Sequence, residues 1–493
     1  MKQNIIIVLL IIVAGQTALG FYLINTSMNK TLYQAEEFPA KYLVKDTVSD
    51  LDKNVFEQRR RHMAKATGAD IIMLSTQTFP DFRYFTGFDE KDGIAVFMPN
   101  SNKPFRLFVT PWEIYTVMWT GEVYGIKGAI EKFGADTAYA LSTFEEMLPE
   151  LLKKKKHLFI HADDTFIRPL IKKYAAQNSL ALNDISPYIH EARVFKCQWE
   201  TQQVKLAVDA TVRAHKYVMQ IIRPGLNETD IQAYIEYVFR RNGMNRAFPS
   251  IVGSGPNACL LHHTPMQRTI QDGDLVLIDI GAKSPTGYAS DITRTIPANG
   301  TFSPEQRTIY ELVLKAHSEA IKLMSPDHKM LDCHHRAMDV LTEGLYELGL
   351  ITDTASWWQK RFYLQHRVNH YIGLQTHDVG DYGYDLSNRD KYILNKNWRG
   401  RKMKPGMIMS LEPGLYFMEG LLDGIHEMFG HLATKEELEK FVKDVGPVYK
   451  KYEGIGVRIE DVILITESGC LNLSEKVPRT VDAIENFMQN ARQ

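Results

Sequence analysis

Short unbroken apolar runs alternate with polar, helix-like stretches along the first third of the chain. Val55 to Lys65, which carries Arg59-Arg60-Arg61, reads as a helix. Asp70 to Leu74, Gly93 to Phe97, Phe105 to Val109 and Leu158 to His161 read as buried strands. Apolar runs of this length, bounded by polar residues, suit a strand covered on both faces. Lys153 to Lys156 reads as a solvated helix end rather than a binding patch. Residues 51–190 therefore form one α/β domain, and a boundary falls within residues 186–200.

Beyond it, across residues 191–493, the period changes. Thr201 to Ile222 reads as a long helix that stops at Arg223-Pro224-Gly225. Asn227 with Asp230 caps the next helix, and Gly243 suits its exit. Ser303-Pro304-Glu305-Gln306 is a capping box with proline at the first helical position. It opens a helix with Ile309, Leu312, Val313, Ala316 and Ala320 on one face. Leu275 to Ile280, Tyr288 to Ile296, Met407 to Leu411 and Val457 to Ile465 read as extended. Helices, strands, helices and strands in succession hint at two similar halves and give an α+β class.

The N-terminus has its own pattern. Lys2 precedes a ten-residue apolar run, Ile5 to Ala14, and Ala18-Leu19-Gly20 follows. Ten residues are too few to span a bilayer, and the order matches a secretory signal cleaved after Gly20. Residues 1–20 are expected to be a signal peptide that exports the body to a periplasmic or extracellular space, with an N-terminal membrane anchor as the alternative. Residues 21–50 are expected to be a polar lead-in.

Composition narrows the classes. The chain has 493 residues, 44% hydrophobic and 24% charged, which is ordinary for a globular protein. A net charge of −1 gives no basic field, so nucleic acid is not an expected partner. The four cysteines show no CxxC spacing and make no disulfide framework.

The informative feature is acid in apolar context. Asp279 stands in Val276-Leu277-Ile278-Asp279-Ile280-Gly281, and Asp291 follows in Ala289-Ser290-Asp291-Ile292-Thr293. A hairpin through Lys283 to Gly287 would bring the two together. Glu412 ends another strand at Ser410-Leu411-Glu412-Pro413-Gly414, and Glu460 lies in Arg458-Ile459-Glu460-Asp461-Val462. Buried carboxylates need a partner or a metal, and four of them point to metal. Histidines cluster as His366, His370 and His377, and His262-His263 follows Gly253-Ser254-Gly255. His62, His190, His328, His334 and His335 are taken as ordinary structural histidines.

At these residues the chain resembles the pita-bread metallopeptidases, in the aminopeptidase P and prolidase branch. The matching pieces are Leu277 to Gly281, Gly287 to Thr295, His370 to Gly380, Glu412-Pro413-Gly414-Leu415-Tyr416 and Gly456 to Asp461. Phe82 to Phe88 looks like part of the smaller, non-catalytic, creatinase-like N-terminal domain of the same enzymes. The resemblance implies a C-terminal pita-bread catalytic domain with Asp279, Asp291, His370, Glu412 and Glu460 as metal ligands. It implies that His262 and His377 act on the substrate, that Glu412 also shuttles the proton, and that His366 and Arg458 line the substrate pocket.

Four carboxylates and a neutral imidazole balance two divalent ions. Oxygen-rich ligation favours manganese, with zinc or cobalt as alternatives. The implied activity is a metal-dependent exopeptidase, an Xaa-Pro aminopeptidase, in which a metal-bridging hydroxide attacks the bond before proline. Its substrates would be peptides with proline second, and the chain would form a homo-dimer or homo-tetramer. A prolidase, restricted to dipeptides, is the alternative. A metal-free creatinase-like hydrolase or a peptide-binding module on the same fold is disfavoured by the intact ligand set. The sequence departs from aminopeptidase P at Leu386, where that family has an arginine, and across a long insertion from Met418 to Glu453.

Two motifs are decoys. His426-Glu427-Met428-Phe429-Gly430-His431 spaces its histidines five apart, so they leave the shared helical face that HExxH requires. Gly253-Ser254-Gly255 has Ile251 where a GxSxG elbow needs glycine.

Overall fold

The computed structural model describes residues 51–178, 180–384 and 395–492. The signal and lead-in expected over residues 1–50, and Leu386, lie outside the described residues.

Helix α1 (Lys53–Thr67) opens on Asp52, whose carboxylate accepts the Asn54 amide, and closes on Gly68 at φ 64°. There follow β1 (Ile71–Ser75), helix α2 (Asp81–Thr86), β2 (Gly93–Phe97), β3 (Phe105–Val109), β4 (Thr137–Ala140), β5 (His157–Ile160) and β6 (Ala181–Asp184). The strands form one sheet in the order β4-β3-β2-β1-β5-β6. β1 runs antiparallel to β2 and parallel to β5. β1 and β2 are buried along their whole length, as their unbroken apolar runs predict. The edge strands β4 and β6 are largely half-buried. Their mixed sequences, Thr-Ala-Tyr-Ala and Ala-Leu-Asn-Asp, carry no apolar run, so the pattern does not predict them.

Helix α3 (Ser186–Val194) occupies the expected boundary, and α4 (Gln198–Ile221) follows it. α5 (Glu228–Arg241) opens on the predicted capping box, the Asn227 amide donating to Asp230 at 2.8 Å. α6 (Pro304–Ala320) opens on the second one, with Ser303 and Gln306 exchanging hydrogen bonds of 3.0 and 3.2 Å.

Around these helices run β7 (Ile251–Ser254), β8 (Leu275–Ile280), β9 (Ile292–Pro297), β10 (Ile408–Leu411), β11 (Gly414–Tyr416), β12 (Gly456–Arg458), β13 (Asp461–Ile465) and β14 (Cys470–Asn472). They make two three-stranded antiparallel sheets, β9-β8-β7 and β10-β13-β14, and a pair β11-β12. Helices and strands are segregated here, as the expected α+β class requires.

Two expected strands change on inspection. β9 begins at Ile292 rather than Tyr288, because the backbone before it bonds elsewhere: the Tyr288 carbonyl accepts the Ser284 amide at 2.8 Å, and the Ala289 amide donates to the Gly373 carbonyl at 2.7 Å. The stretch Val457 to Ile465 is two strands in two sheets: β12 pairs with β11, and β13 with β10. The break falls at Glu460, whose amide donates to the Thr293 carbonyl at 3.1 Å.

The loop between β8 and β9 is packed too tightly for a side chain at Gly281. A Cβ there would stand 2.0 Å from the Ser290 carbonyl oxygen and 2.7 Å from the Phe248 ring. Gly446, inside the helix Lys435–Tyr452, has nothing within 4 Å. Gly281→Ala is therefore expected to destabilise the protein by about 2–3 kcal/mol in denaturant unfolding through overpacking. Gly446→Ala should be close to neutral, because alanine's better helix propensity is set against crowding of its Cβ by the ring of Pro447.

Candidate metal centre

Antiparallel pairing of β8 with β9 sets Asp279 opposite Thr293, and Asp291 lies just before β9. Glu412 occupies the step between β10 and β11, and Glu460 the step between β12 and β13. Only Asp279 is thus inside a strand; the other three stand at strand ends. The break has a use at Glu460. Consecutive residues face opposite ways, so Asp461 turns away from the cluster, into a buried ion pair with Arg294 at 2.7 Å. Glu460 turns into the cluster. His370 is laid against β10, its carbonyl accepting the Ser410 amide at 2.9 Å.

The five groups meet. His370 Nε2 lies 3.4 Å from Asp291, 3.5 Å from Glu412 and 3.9 Å from Glu460. Ligand atoms of Asp279, Asp291 and Glu460 also fall within 4.8 Å of one another. His370 Nδ1 donates to the Tyr371 carbonyl at 3.1 Å. That bond leaves the Nε2 lone pair facing carboxyl oxygens, a contact that a shared cation would satisfy. Asp279 and Asp291 each bury one carboxylate oxygen with no hydrogen-bond partner in the protein. These residues therefore fit divalent metal ions: oxygen-rich donors, one imidazole lone pair and buried oxygens left for an ion.

The electrostatics agree. Burial first, then the neighbouring charges of Glu460, Asp279 and Glu412, push the Asp291 carboxyl well above its usual range. Burial, then Glu412 and Asp279, does the same to Glu460. Burial raises Glu412 to about 7, against the pull of Arg458. Burial holds His370 well below the usual imidazole value, with His377 adding to it.

The cluster floors a cleft of about 470 Å³ lined also by Leu261, His262, His366, Arg367, His377 and Arg458. A second lobe of about 400 Å³ adds Phe248, Ile251 and Thr376, and shares Asp279, Asp291, His262 and His377. Every residue singled out from the sequence for this site lines the first cleft. His263 lines only the second lobe, and its Nε2 meets Glu228 at 2.7 Å.

One hydrogen-bonded chain leaves the cluster sideways. Arg458 donates to Asp279 at 2.6 Å and to the Tyr416 hydroxyl at 3.0 Å. Tyr416 meets His366 Nε2 at 2.9 Å, and His366 Nδ1 meets the Arg367 carbonyl at 2.9 Å. Thr293 donates to Glu460 at 2.7 Å and accepts from Arg458 at 3.2 Å. The sequence reading assigns no role to Tyr416, Thr293 or Arg367. Tyr416 and Thr293 sit inside the matching motifs, four residues after Glu412 and two after Asp291, and that placement was the available signal. Both decoys fail as expected: His426 and His431 are exposed and apart from the cleft. The Ser254 hydroxyl donates to Glu228 at 2.8 Å.

Carboxyls whose folded pKa is raised favour the protonated folded form. Their stabilisation is present below the unfolded value and is lost as pH climbs through the folded value. Chelated protein is accordingly expected to lose thermal stability as pH rises from 5 towards 8, through the value of about 7 for Glu412. Added divalent metal should abolish that loss. Thermal unfolding across pH, with chelator and with metal, checks this; a chelated protein that gains stability over the same range contradicts it.

Two family models match the chain: metallopeptidase family M24 over residues 202–467 and the aminopeptidase P N-terminal domain over residues 56–161. The Xaa-Pro aminopeptidase of Escherichia coli is 31% identical over 90% of this chain and 100% of its own length. The human Xaa-Pro dipeptidase is 32% identical but over 64% of each chain. The solved Pseudomonas aeruginosa aminopeptidase PepP superposes with a TM-score of 0.76 at 31% identity, over 90% of this chain and all of that one. With the acid–histidine cluster in place and the M24 model matching more than half of its length, the chain belongs to metallopeptidase family M24.

Proposed function

We propose that this protein is a metal-dependent Xaa-Pro aminopeptidase, which hydrolyses the bond between an N-terminal residue and a following proline. The carrying observation is the Asp279, Asp291, His370, Glu412 and Glu460 cluster at the floor of a cleft edged by His262, His366 and His377. It occurs in a chain matched over nine-tenths of its length by relatives called Xaa-Pro aminopeptidase. The dipeptidase reading has less support, since those relatives match over about two thirds of this chain.

Two divalent ions held by the five groups would activate water and polarise the scissile carbonyl. We assign manganese to them on the oxygen-rich donor set. The remaining work belongs to side chains. Glu412, at the floor of the cleft, accepts a proton from the attacking water and returns it to the departing proline nitrogen. Proline's amide nitrogen has no proton of its own, so that return is obligatory. His262 and His377, on the rim, donate to the developing oxyanion. The Asp279 side of the cluster receives the substrate ammonium, which limits the enzyme to free amino termini. The His366–Tyr416–Arg458 chain holds the proline side of the peptide and fixes the orientation of Asp279.

The same reading extends to export through residues 1–20 and to assembly as a dimer or tetramer. Both rest on the sequence. Mature protein from its own host should begin at Phe21 by mass spectrometry; an intact Met1 in a soluble fraction contradicts export.

With added manganese, Xaa-Pro-Xaa tripeptides should be cleaved at least as well as Xaa-Pro dipeptides, and N-acetylation should remove most activity. Replacing proline by alanine should lower kcat/KM by roughly 10²-fold or more, because the contacts to the ring are realised in the transition state. Cleavage confined to dipeptides selects the prolidase reading. Equal cleavage of alanine and proline peptides removes both.

A further inference from the structure

We infer that Asp81 and Arg193 are positioning residues for His377, so that the N-terminal domain sets the geometry of the catalytic rim. This rests on the aminopeptidase reading above. His377 lies on the loop from Gly373 to Asp378, its ring centroid 4.2 Å from that of His370. The loop residues on either side of it are tied to a single guanidinium. Arg193 Nη2 donates to the Asp378 carboxylate and, at 3.2 Å, to the Gln375 side chain. Lys196 reaches the other Asp378 oxygen at 3.4 Å. The Asp378 amide donates to the Tyr371 carbonyl at 2.9 Å, and the Ala289 amide holds the Gly373 carbonyl at 2.7 Å. No slack remains: a Cβ on Gly373 would stand 2.0 Å from Asp378 Oδ2.

The other end of Arg193 is anchored in the opposite domain. Its Nη1 donates to Asp81 Oδ1, at the start of α2. Asp81 Oδ2 accepts from His161 at 2.9 Å and from His190 at 2.8 Å. His161 Nδ1 accepts the Asp163 amide at 3.1 Å, which puts the ring proton on Nε2. This Asp–His–His group is therefore a hydrogen-bonded post rather than a cation site. Asp81, Arg193 and Asp378 are each less than 5% exposed. Buried charges in such a chain hold one another in a narrow range of positions, because each has no water to turn to. The line Asp81–Arg193–Asp378 thus runs from the first domain to the residue next to His377.

The test is a double-mutant cycle read as kcat and KM separately, on metal-loaded full-length protein. Asp81→Asn weakens the anchor without adding volume, and should lower kcat about tenfold with KM and bound metal little changed, since a small misplacement of a rim group suffices for such a loss. Arg193→Lys keeps the charge but loses the fork, and should give a smaller loss in the same direction. In a His377→Ala background either change should cost less than about twofold more, because the group through which they act is gone. Wild-type kcat in both variants overturns the inference. So does an equal fold-loss with and without His377, or a loss that tracks bound metal or melting temperature. Wild-type protein that binds metal but cleaves no Xaa-Pro peptide overturns the functional reading and this relay with it.

Discussion

Buried carboxylates facing one another are the constraint on which this molecule turns. Asp279, Asp291 and Glu460 are almost fully removed from water, and Glu412 is half-buried, with the guanidinium of Arg458 committed beside them. No arrangement of the surrounding apolar strands relieves that repulsion. Protons relieve it in part, as the raised carboxyls show, and divalent cations relieve it fully. The His370 imidazole, turned so that its lone pair joins the carboxylates, is placed to share a cation with them. The rest of the second domain is shaped to impose this geometry: an antiparallel β8–β9 pair, two strand breaks and a histidine pinned to β10.

Much of this was legible because the chemistry sits against the hydrophobic pattern. Asp279 interrupts an apolar strand, and such an interruption is costly unless it is used. The capping boxes at Asn227 and Ser303 were legible for a similar reason, since few residue pairs satisfy a helix start reciprocally. The edge strands Thr137–Ala140 and Ala181–Asp184 were not. Half-solvated edges carry little apolar signal, and their pairing partners are distant in sequence. The break at Glu460 was hidden as well, because Val457 to Ile465 is apolar on both sides of it. Only the tertiary bond to the Thr293 carbonyl changes its partner strand.

Long-range polar contacts were the least legible part of the site. Tyr416, Thr293 and Arg458 form one network only after β9, β11 and β12 come together. Asp81 and Arg193 are separated by 112 residues in sequence, and neither breaks a local rule. None of the five clustered groups comes from the first domain. Its contacts give it more than packing to do. Arg59 bonds both Glu200 and the Tyr288 hydroxyl at 3.1 Å, and Arg83 bonds the Pro285 carbonyl at 2.5 Å. These tie the first domain to the loop that leads into Asp291.

The central claim is that the five-group cluster exists to hold two divalent cations. Calorimetric titration of manganese into chelator-stripped protein, repeated near pH 7 in buffers of different ionisation enthalpy, tests it most directly. Saturation at two ions per chain with release of protons, lost in Asp291→Asn, is the predicted result, because raised carboxyls must deprotonate to bind. Stripped protein that takes up no manganese, or binds it unchanged in Asp291→Asn and without proton release, would contradict the account.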